Sequence, residues 1–594
     1  MKHQLNYPFD PHYILRKKRS IKRELLKNTG LVNRRIAIIG GSTTAEIKDI
    51  LELFLLKDGI KPVFYESEYG KYYEDIMFEN NELDKFAPET IYIHTSSVNI
   101  SNFPTIQEES DSVAQLLQKE FAKFTTLWER IEATYHCPII QNNFELPYYR
   151  TLGNLDFSDI HGRTHFLTQL NQHFAEYARS CKNLYINDIN YLASWFGLER
   201  WYDKNFWYAY KYAMNYEAIP LLTHNIASLI KASYGNSKKC LVLDLDNTLW
   251  GGIIGDDGID AIKLGRETAE AEAYTDFQQY IKELKQRGII LAVCSKNELD
   301  NAKAGFFHPD TILKLDDFTA FQANWNPKHE NIKHIAETIN IGLDSLVFVD
   351  DNPAERQIVQ DMIPEVAVPD IGNNVAKYID VLDKTGYFET LSISKDDLQR
   401  NSYYTENLKR QEVEARYNNY DEFLKSLEMV AEIKAFVPVY LERIAQLTNK
   451  TNQFNLTTKR YSLAEIEAIA NDTNYISIYG RLKDKFGDNG LITIIITAIK
   501  GKELHIDLWL MSCRVLKRGM EKAMLDQLVQ AAHQRGITII YGYYYKTVKN
   551  KMVSELYRDM GFECVSLAEN GDSVWRYKLP EKYENQNQLI EVIT

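Results

Sequence analysis

Two aspartates separated by one residue close an apolar run, Leu241-Val-Leu-Asp244-Leu-Asp246-Asn-Thr-Leu-Trp250. In an extended chain, residues two apart share a side, so one carboxylate can attack a phosphorus while the other handles the leaving-group proton. Three further elements follow in order. Ser295 comes directly after the run Ile289 to Cys294, Lys328 sits in Asn326-Pro-Lys-His-Glu330, and Asp350-Asp351 ends the apolar run Leu346 to Val349. A serine hydroxyl can donate to a phosphate oxygen, and an ammonium can neutralise charge on phosphate and nucleophile. An acidic pair beside Asp244 offers oxygen ligands suited to Mg²⁺. At the carboxyl ends of neighbouring parallel strands, these groups would share one crevice.

Two cysteines are candidates for acyl chemistry. Cys294, next to Ser295, is either a thiol near Lys328 that accepts an acyl group from a mixed anhydride or a small hydrophobe buried on a strand. Cys513 is its rival, within Ile506-Asp-Leu-Trp-Leu-Met-Ser-Cys513-Arg-Val-Leu-Lys-Arg-Gly519-Met-Glu521, or else it packs a strand end. That segment reads as strand, turn and helix start, where free backbone amides can hold a pyrophosphate. Arg514, Arg518 and Gly519 are its cofactor-binding candidates. Asn449, Asn452 and Asn455 can line a groove or cap helices.

These groups need strands to carry them and helices to cover the strands. Short β-branched runs alternate with amphipathic stretches along the chain, which predicts an α/β, multidomain protein. Strands are expected at Arg35 to Gly40, Pro62 to Tyr65, Thr90 to His94, Pro138 to Gln141 and Leu184 to Asn187, then at Cys240 to Asp244, Ile289 to Cys294 and Ser345 to Asp350. The polar break Ser233 to Lys239 resets the pattern, and Asp396 to Asn418 reads as a connecting helix. The expected domains are 1–236, 237–392 and 393–594. Only about fifty residues separate Asp246 from Ser295 and about thirty separate Ser295 from Lys328, too few for a sizeable cap.

The chain has 594 residues, 45% hydrophobic and 25% charged, which excludes a collagenous or wholly disordered protein. A formal net charge of −13 opposes generalised nucleic-acid binding. The basic run Arg16 to Arg23 reads as a solvated helix face. Six scattered cysteines without a CxxC pair fit a reducing, cytoplasmic setting, and neither a membrane span nor a secretory signal is expected.

The ordered set Asp244-x-Asp246-x-Thr248, Ser295, Lys328 and Asp350-Asp351 resembles the haloacid dehalogenase (HAD) superfamily. That resemblance implies a Rossmann-like core with Asp244 as the nucleophile of an aspartyl-phosphate and Asp246 as general acid/base. It also implies Ser295 and Lys328 as phosphate ligands, with Mg²⁺ held by Asp244, the Asp246 carbonyl and Asp350 or Asp351. Leu-Asp-Leu-Asp-Asn-Thr-Leu-Trp-Gly-Gly252, Val-Cys-Ser-Lys-Asn297 and Phe-Val-Asp-Asp-Asn-Pro-Ala-Glu355 look like the FkbH-like branch of subfamily IIIC. Members load a glyceryl unit from 1,3-bisphosphoglycerate onto an acyl carrier protein and remove its phosphate. A simple phosphatase of a sugar or acyl phosphate, in surface-polysaccharide biosynthesis, and a carrier-recruiting scaffold are the alternatives.

The Cys513 segment, with Asn550 to Phe562, resembles the GNAT acyltransferase fold, whose turn binds coenzyme A pyrophosphate and whose later tyrosine, here Tyr557, can act as an acid. Lys517 stands where that family commonly has glycine, a change that a carrier-protein pantetheine tolerates. Gly40-Gly41-Ser42, Gly70 and Asn99 look like an SGNH-hydrolase scaffold. Its late Asp-x-x-His is unmet, because Phe206 and Trp207 follow Asp203, so a docking or scaffold role is expected.

Overall fold

The computed structural model describes residues 2–594 apart from Ala415, Asn452, Cys513, Arg514 and Val548. Of the candidate residues, Asn452, Cys513 and Arg514 therefore lie outside the described residues. The chain forms two compact units, Met1–Ser233 and Tyr234–Thr594.

The first unit is built on five parallel strands, β1 (Val32–Gly40), β2 (Ile60–Glu66), β3 (Thr90–His94), β4 (Ile139–Asn142) and β5 (Leu184–Asn187), in the order β2-β1-β3-β4-β5. Alternate residues of β1 and β3 feed opposite faces. Ala37, Ile39, Ile91 and Ile93 pack with Phe124, Trp128 and Phe174 from two covering helices, Ser110–Tyr135 and Arg163–Ser180. A sheet covered on both sides needs continuous apolar runs, which is what these strands carry. The basic run lies on the helix Pro11–Leu25, where Arg16, Lys17, Arg19 and Arg23 are exposed, while Lys18 pairs with Glu46 at 2.7 Å and Asp49 at 2.9 Å, and Lys22 with Glu52 at 2.6 Å.

At the carboxyl end of β3 the imidazole of His94 is buried, with Nδ1 at 2.9 Å from the Tyr92 hydroxyl and 3.1 Å from Asn142 Nδ2. Burial pushes its pKa down to about 4. The unfolded chain takes up a proton near pH 6.5 that the folded chain refuses until about pH 4, so this group's stabilisation is full above the former value and lost as pH falls. Between about pH 7 and about pH 4.5, wild type should lose about 2 kcal/mol more than His94→Asn in urea unfolding. Equal losses in the two proteins would contradict the assignment.

The second unit holds two sheets. Strands β6 (Cys240–Leu243), β7 (Ile290–Ser295), β8 (Ala320–Ala323) and β9 (Leu346–Val349) are parallel, in the order β8-β7-β6-β9. Leu241 and Leu243 face the helix Ala269–Gln286, while Cys240 and Val242 face the helix Lys328–Thr338. The other sheet has eight strands: β10 (Val430–Ala435), β11 (Tyr475–Asp484), β12 (Gly487–Lys500), β13 (Glu503–Met511), β14 (Ile539–Tyr544), β15 (Glu563–Leu567), β16 (Ser573–Lys578) and β17 (Glu591–Ile593). Its order is β15-β16-β14-β13-β12-β11-β10-β17, antiparallel except for the pairs β13/β14 and β10/β17.

The helix Arg400–Glu414 ties the two sheets together. At one end Arg400 Nη1 donates to the Gly288 carbonyl at 3.0 Å, and at the other Arg410 grips buried Asp484 with two N–H···O bonds of 2.8 Å. Fork-to-carboxylate pairing of this kind fixes orientation as well as charge. Among the described residues no helix is long and apolar enough to cross a membrane.

Candidate active site

Strand β6 ends at Leu243, and the next residue continues the ladder: the Asp244 amide donates to the Val349 carbonyl at 3.0 Å. The chain then turns sharply through Asn247, which takes a left-handed φ of 55° that asparagine tolerates better than most residues. Asn247 is pinned in place. Its carbonyl accepts from the hydroxyls of Tyr274 (3.2 Å) and Tyr378 (3.3 Å), and its Oδ1 from the Gly252 amide (3.0 Å). The turn therefore presents Asp244 and Asp246 on a fixed backbone.

Lys328 opens the helix Lys328–Thr338 and is almost wholly buried. Its Nζ lies 2.9 Å from Asp244 Oδ1 and 2.5 Å from Asp350 Oδ2. Burial by itself lowers the lysine pKa, but the charges of Asp244 and Asp350 outweigh it and hold the ammonium above its ordinary range. Asp350 and Asp351 follow β9. Arg356 holds their backbone, donating to the carbonyls of Asp350 at 2.8 Å and Asp351 at 2.7 Å. Thr248 Oγ1 accepts from the Asp351 amide at 3.1 Å, which locks the β6 turn to the β9 end.

One carboxylate oxygen from each of Asp244, Asp350 and Asp351 lies within 4.8 Å of the others. Burial, then the neighbouring Asp244 charge, raises the pKa of Asp350 to about 7 and also raises that of Asp351. Three converging carboxylates served by a single lysine are short of positive charge. An all-oxygen set of this kind fits a hard divalent cation such as Mg²⁺.

The Asp246 carboxylate lies outside that group. Oδ1 accepts from Trp250 Nε1 (2.9 Å) and the Ile254 amide (3.1 Å), and Oδ2 from Asn297 Nδ2 (3.0 Å). A metal role for Asp246 would therefore fall to its backbone carbonyl. Burial raises the Asp246 pKa. Ser295 ends β7, buried and in register with Ala323.

Cys294 requires correction. It packs in the apolar cluster with Cys240, Val242, Ile332 and Phe348, its thiol donates to the Lys328 carbonyl at 3.6 Å, and burial pushes its pKa up. A thiol so placed is a core side chain rather than an acyl acceptor.

Of the C-terminal cofactor-binding candidates, Arg518 is also corrected. Gly519 takes a left-handed φ of 82° ahead of the helix Met520–Gln534. Arg518 is committed to Asp484 at 3.2 Å and Asn407 at 2.8 Å. Strands β13 and β14 pair only over Glu503–His505 and Ile539–Tyr541. Beyond that the chain itself fills the gap. Met511 N donates to the Phe454 carbonyl (3.0 Å), Leu456 N to that of Trp509 (3.1 Å) and Tyr545 N to that of Leu456 (2.9 Å). Tyr557 is wholly buried over Gly542, and burial raises its pKa far above the range useful to an acid. Asn449 bonds to the carbonyls of Ala445 and Tyr461, and Asn455 to that of Thr451, so both build turns.

In the first unit, Asn99 Nδ2 donates to the Gly41 carbonyl at 2.7 Å, and the buried Ser42 hydroxyl has no hydrogen-bond partner among the described residues. Asp203 caps the helix Lys204–Tyr210, accepting from the amides of Asn205 and Phe206, so its carboxylate is spent on the backbone.

A parallel sheet whose adjacent strand ends gather a paired aspartate turn, a buried lysine and a terminal acidic pair is a phosphatase domain of the HAD type. The family model "FkbH, N-terminal domain" matches residues 35–231. Over 63% of this chain and 99% of the other, the sequence is 31% identical to the crystallised N-terminal part of BF1531 from Bacteroides fragilis, at a TM-score of 0.58. That protein contains a phosphatase domain and is complexed with Mg. The chain belongs to the FkbH-like family of HAD-type phosphatases.

Two solved structures are similar over about a quarter of the chain. The Escherichia coli ribosomal-protein-S18-alanine N-acetyltransferase is 14% identical over 27% of this chain and 99% of its own, with a TM-score of 0.21. The GNAT domain of the S. lividans protein PAT is 13% identical over 25% of this chain and 89% of its own, also at 0.21. No curated protein matches the chain. The family model covering the first unit is the FkbH one, and the SGNH likeness gains no support from these matches.

Proposed function

We propose that the chain is a Mg²⁺-dependent phosphatase/phosphotransferase working through an aspartyl-phosphate on Asp244, coupled to transfer of a glyceryl-type acyl group to an acyl carrier protein. The observation that carries the phosphoryl half is the cluster itself: buried Lys328 bridging Asp244 and Asp350, with Asp351 completing a three-carboxylate group. Asp244, Asp350 and Asp351 would hold the cation, which supplies charge neutralisation to the phosphoryl oxygens when bound.

The residues divide the work as follows. Lys328 fixes the Asp244 carboxylate and offsets the charge of an incoming phosphate. Asp244 attacks phosphorus as the bond to the leaving oxygen breaks, and Asp246 gives that oxygen its proton. In the second half, the Asp246 carboxylate takes a proton from the attacking water, phosphate departs and the Asp244 carboxylate is restored. Ser295 would bind a phosphate oxygen at the end of β7.

The acyl-transfer half is supported by the family membership and by the short insertions after Asp246 and Ser295, which leave room for a carrier-mounted substrate. A specific observation favours a second reading, a simple phosphatase. Cys294 is sealed in the core, so the phosphatase sheet offers no acyl-accepting thiol at that position.

Incubation with Mg²⁺, 1,3-bisphosphoglycerate and a pantetheinylated carrier, followed by mass spectrometry of the carrier, separates the two. The coupled reading expects a glyceryl mass on the carrier together with free phosphate. Phosphate release without added carrier mass would leave the simple phosphatase. Neither product, with other phosphate monoesters and acyl phosphates also untouched, would overturn both.

A further inference from the structure

The Asp246 carboxylate is the most elaborately held acid in the pocket that does not belong to the three-carboxylate group. Three N–H donors from separate stretches meet on it: the Trp250 indole (2.9 Å), the Ile254 amide (3.1 Å) and the Asn297 side-chain amide (3.0 Å). Both side-chain donors are buried. Trp250 is fully buried, packed edge-on against Phe306 with ring centroids 5.4 Å apart. A Cβ on Gly305 would lie only 2.6 Å from the indole, so the chain keeps a glycine there and the ring fills the space. Asn297 is buried at the start of the loop after β7. Ile254 opens the short helical turn Ile254–Asp257 within a glycine-rich flap, residues 251–258, which follows the β6 turn. One carboxylate thus joins the β6 turn, the flap and the β7 loop.

We infer that Trp250 and Asn297 are positioning residues that aim the Asp246 carboxyl group at the leaving oxygen, and that the phosphoryl-transfer step to Asp244 depends on them only when that oxygen must be protonated. The inference rests on the aspartyl-phosphate reading above. The Asp246 proton passes to the leaving oxygen as the phosphorus–oxygen bond breaks and the Asp244–phosphorus bond forms. A carboxylate leaving from an acyl phosphate departs as an anion and needs no such proton, because its conjugate acid has a pKa of about 4, whereas a phenoxide, with a conjugate acid near 10, does. Misplacing the acid therefore penalises transfer from aryl and alkyl esters and spares transfer from acyl phosphates, while the later attack of water on the aspartyl-phosphate is affected alike for both. The open site would then handle a mixed anhydride even with an imperfectly aimed acid, while hydrolysis of sugar-type esters would rely on the Trp250–Asn297 clamp.

The test compares acetyl phosphate with phenyl phosphate, both with Mg²⁺, for the full-length wild type, Asn297→Ala, Trp250→Phe and Asp246→Asn. Asn297→Ala and Trp250→Phe should each lower kcat/KM for phenyl phosphate by about 10- to 100-fold, while kcat/KM for acetyl phosphate, which reports transfer to Asp244 and not the shared hydrolysis, changes by less than about threefold. Asp246→Asn should show the same selectivity more strongly. Equal losses on both substrates in Asn297→Ala, or no loss on either, would overturn the positioning role while leaving the phosphatase intact. Asn297→Ala keeps the test decisive should removal of the buried indole disturb folding. Asp246→Asn with no selectivity would overturn the acid assignment, and a wild type inert towards both substrates would overturn the aspartyl-phosphate reading and this inference together.

Discussion

Asp244→Asn should abolish Mg²⁺-dependent phosphate release, by a factor on the order of 10⁴ or more, because an amide cannot form the covalent phosphoryl intermediate. The fold should survive. Asp244 stands within 4.8 Å of two other carboxylates, and its charge is among the causes that raise the pKa of Asp350 and Asp351. Removing it relieves repulsion, while the Asn amide still lies within reach of Lys328. Rapid acid quench of wild type during turnover should trap an acid-stable, hydroxylamine-sensitive phosphate on the peptide containing Asp244. Phosphate release by Asp244→Asn at a rate near wild type would defeat the nucleophile assignment.

Lys328→Met should have the largest effect on stability. The ammonium is the only cation bridging Asp244 and Asp350, at 2.9 and 2.5 Å, among the described residues. Its loss leaves two buried carboxylates, Asp244 and Asp350, and half-buried Asp351 facing one another. Breaking a buried pair by removing one partner costs about 3–5 kcal/mol, because the remaining charge is left unneutralised. In the presence of a chelator, Lys328→Met should therefore unfold at much lower denaturant than wild type. Saturating Mg²⁺ should recover a larger share of that loss in the variant than it adds to wild type, since a cation that binds only the folded state stabilises it by mass action. Unfolding midpoints that match wild type in chelator, or a variant indifferent to Mg²⁺, would contradict the arrangement. Phosphate release should fall as well, by at least about 10²-fold, since the same ammonium offsets the charge of the phosphoryl group.

The strands that carry the phosphatase chemistry were legible because a parallel sheet buried on both faces demands unbroken apolar runs. Cys240–Leu243, Ile290–Ser295 and Leu346–Val349 are such runs, each followed at once by a polar residue. Strand β8, Ala320–Ala323, was missed because Ala-Phe-Gln-Ala at the sheet edge has neither β-branched residues nor a long apolar stretch. Strands β10 and β15 to β17 were missed for a similar reason. Strands β15 and β17 are the sheet's edges, β15 exposed along its whole length, and β10 and β16 interleave charged residues with apolar ones.

The roles of Trp250 and Asn297 left no signal in periodicity or spacing. An indole four residues after an aspartate reads as core, and the asparagine lies about fifty residues away along the chain. Only the folding of the flap and the β7 loop onto one carboxylate brings them together. The candidate roles of Cys294 and of Arg518 failed on direction rather than on placement. Alternation sends Cys294 to the face opposite Ser295, and the Arg518 guanidinium turns to Asp484 and Asn407.

What the sequence determined by itself was the set of reactive groups and their order at strand ends, because strand periodicity and the Asp-x-Asp turn are local properties of the chain. The tertiary structure decided which of those groups share a pocket. It placed Lys328 between two aspartates, separated Asp246 from the cation-binding carboxylates and filled the cleft between β13 and β14 with the chain's own backbone. Burial and charge pairing depend on atoms remote in sequence, and those meet only when the sheets and their covering helices close.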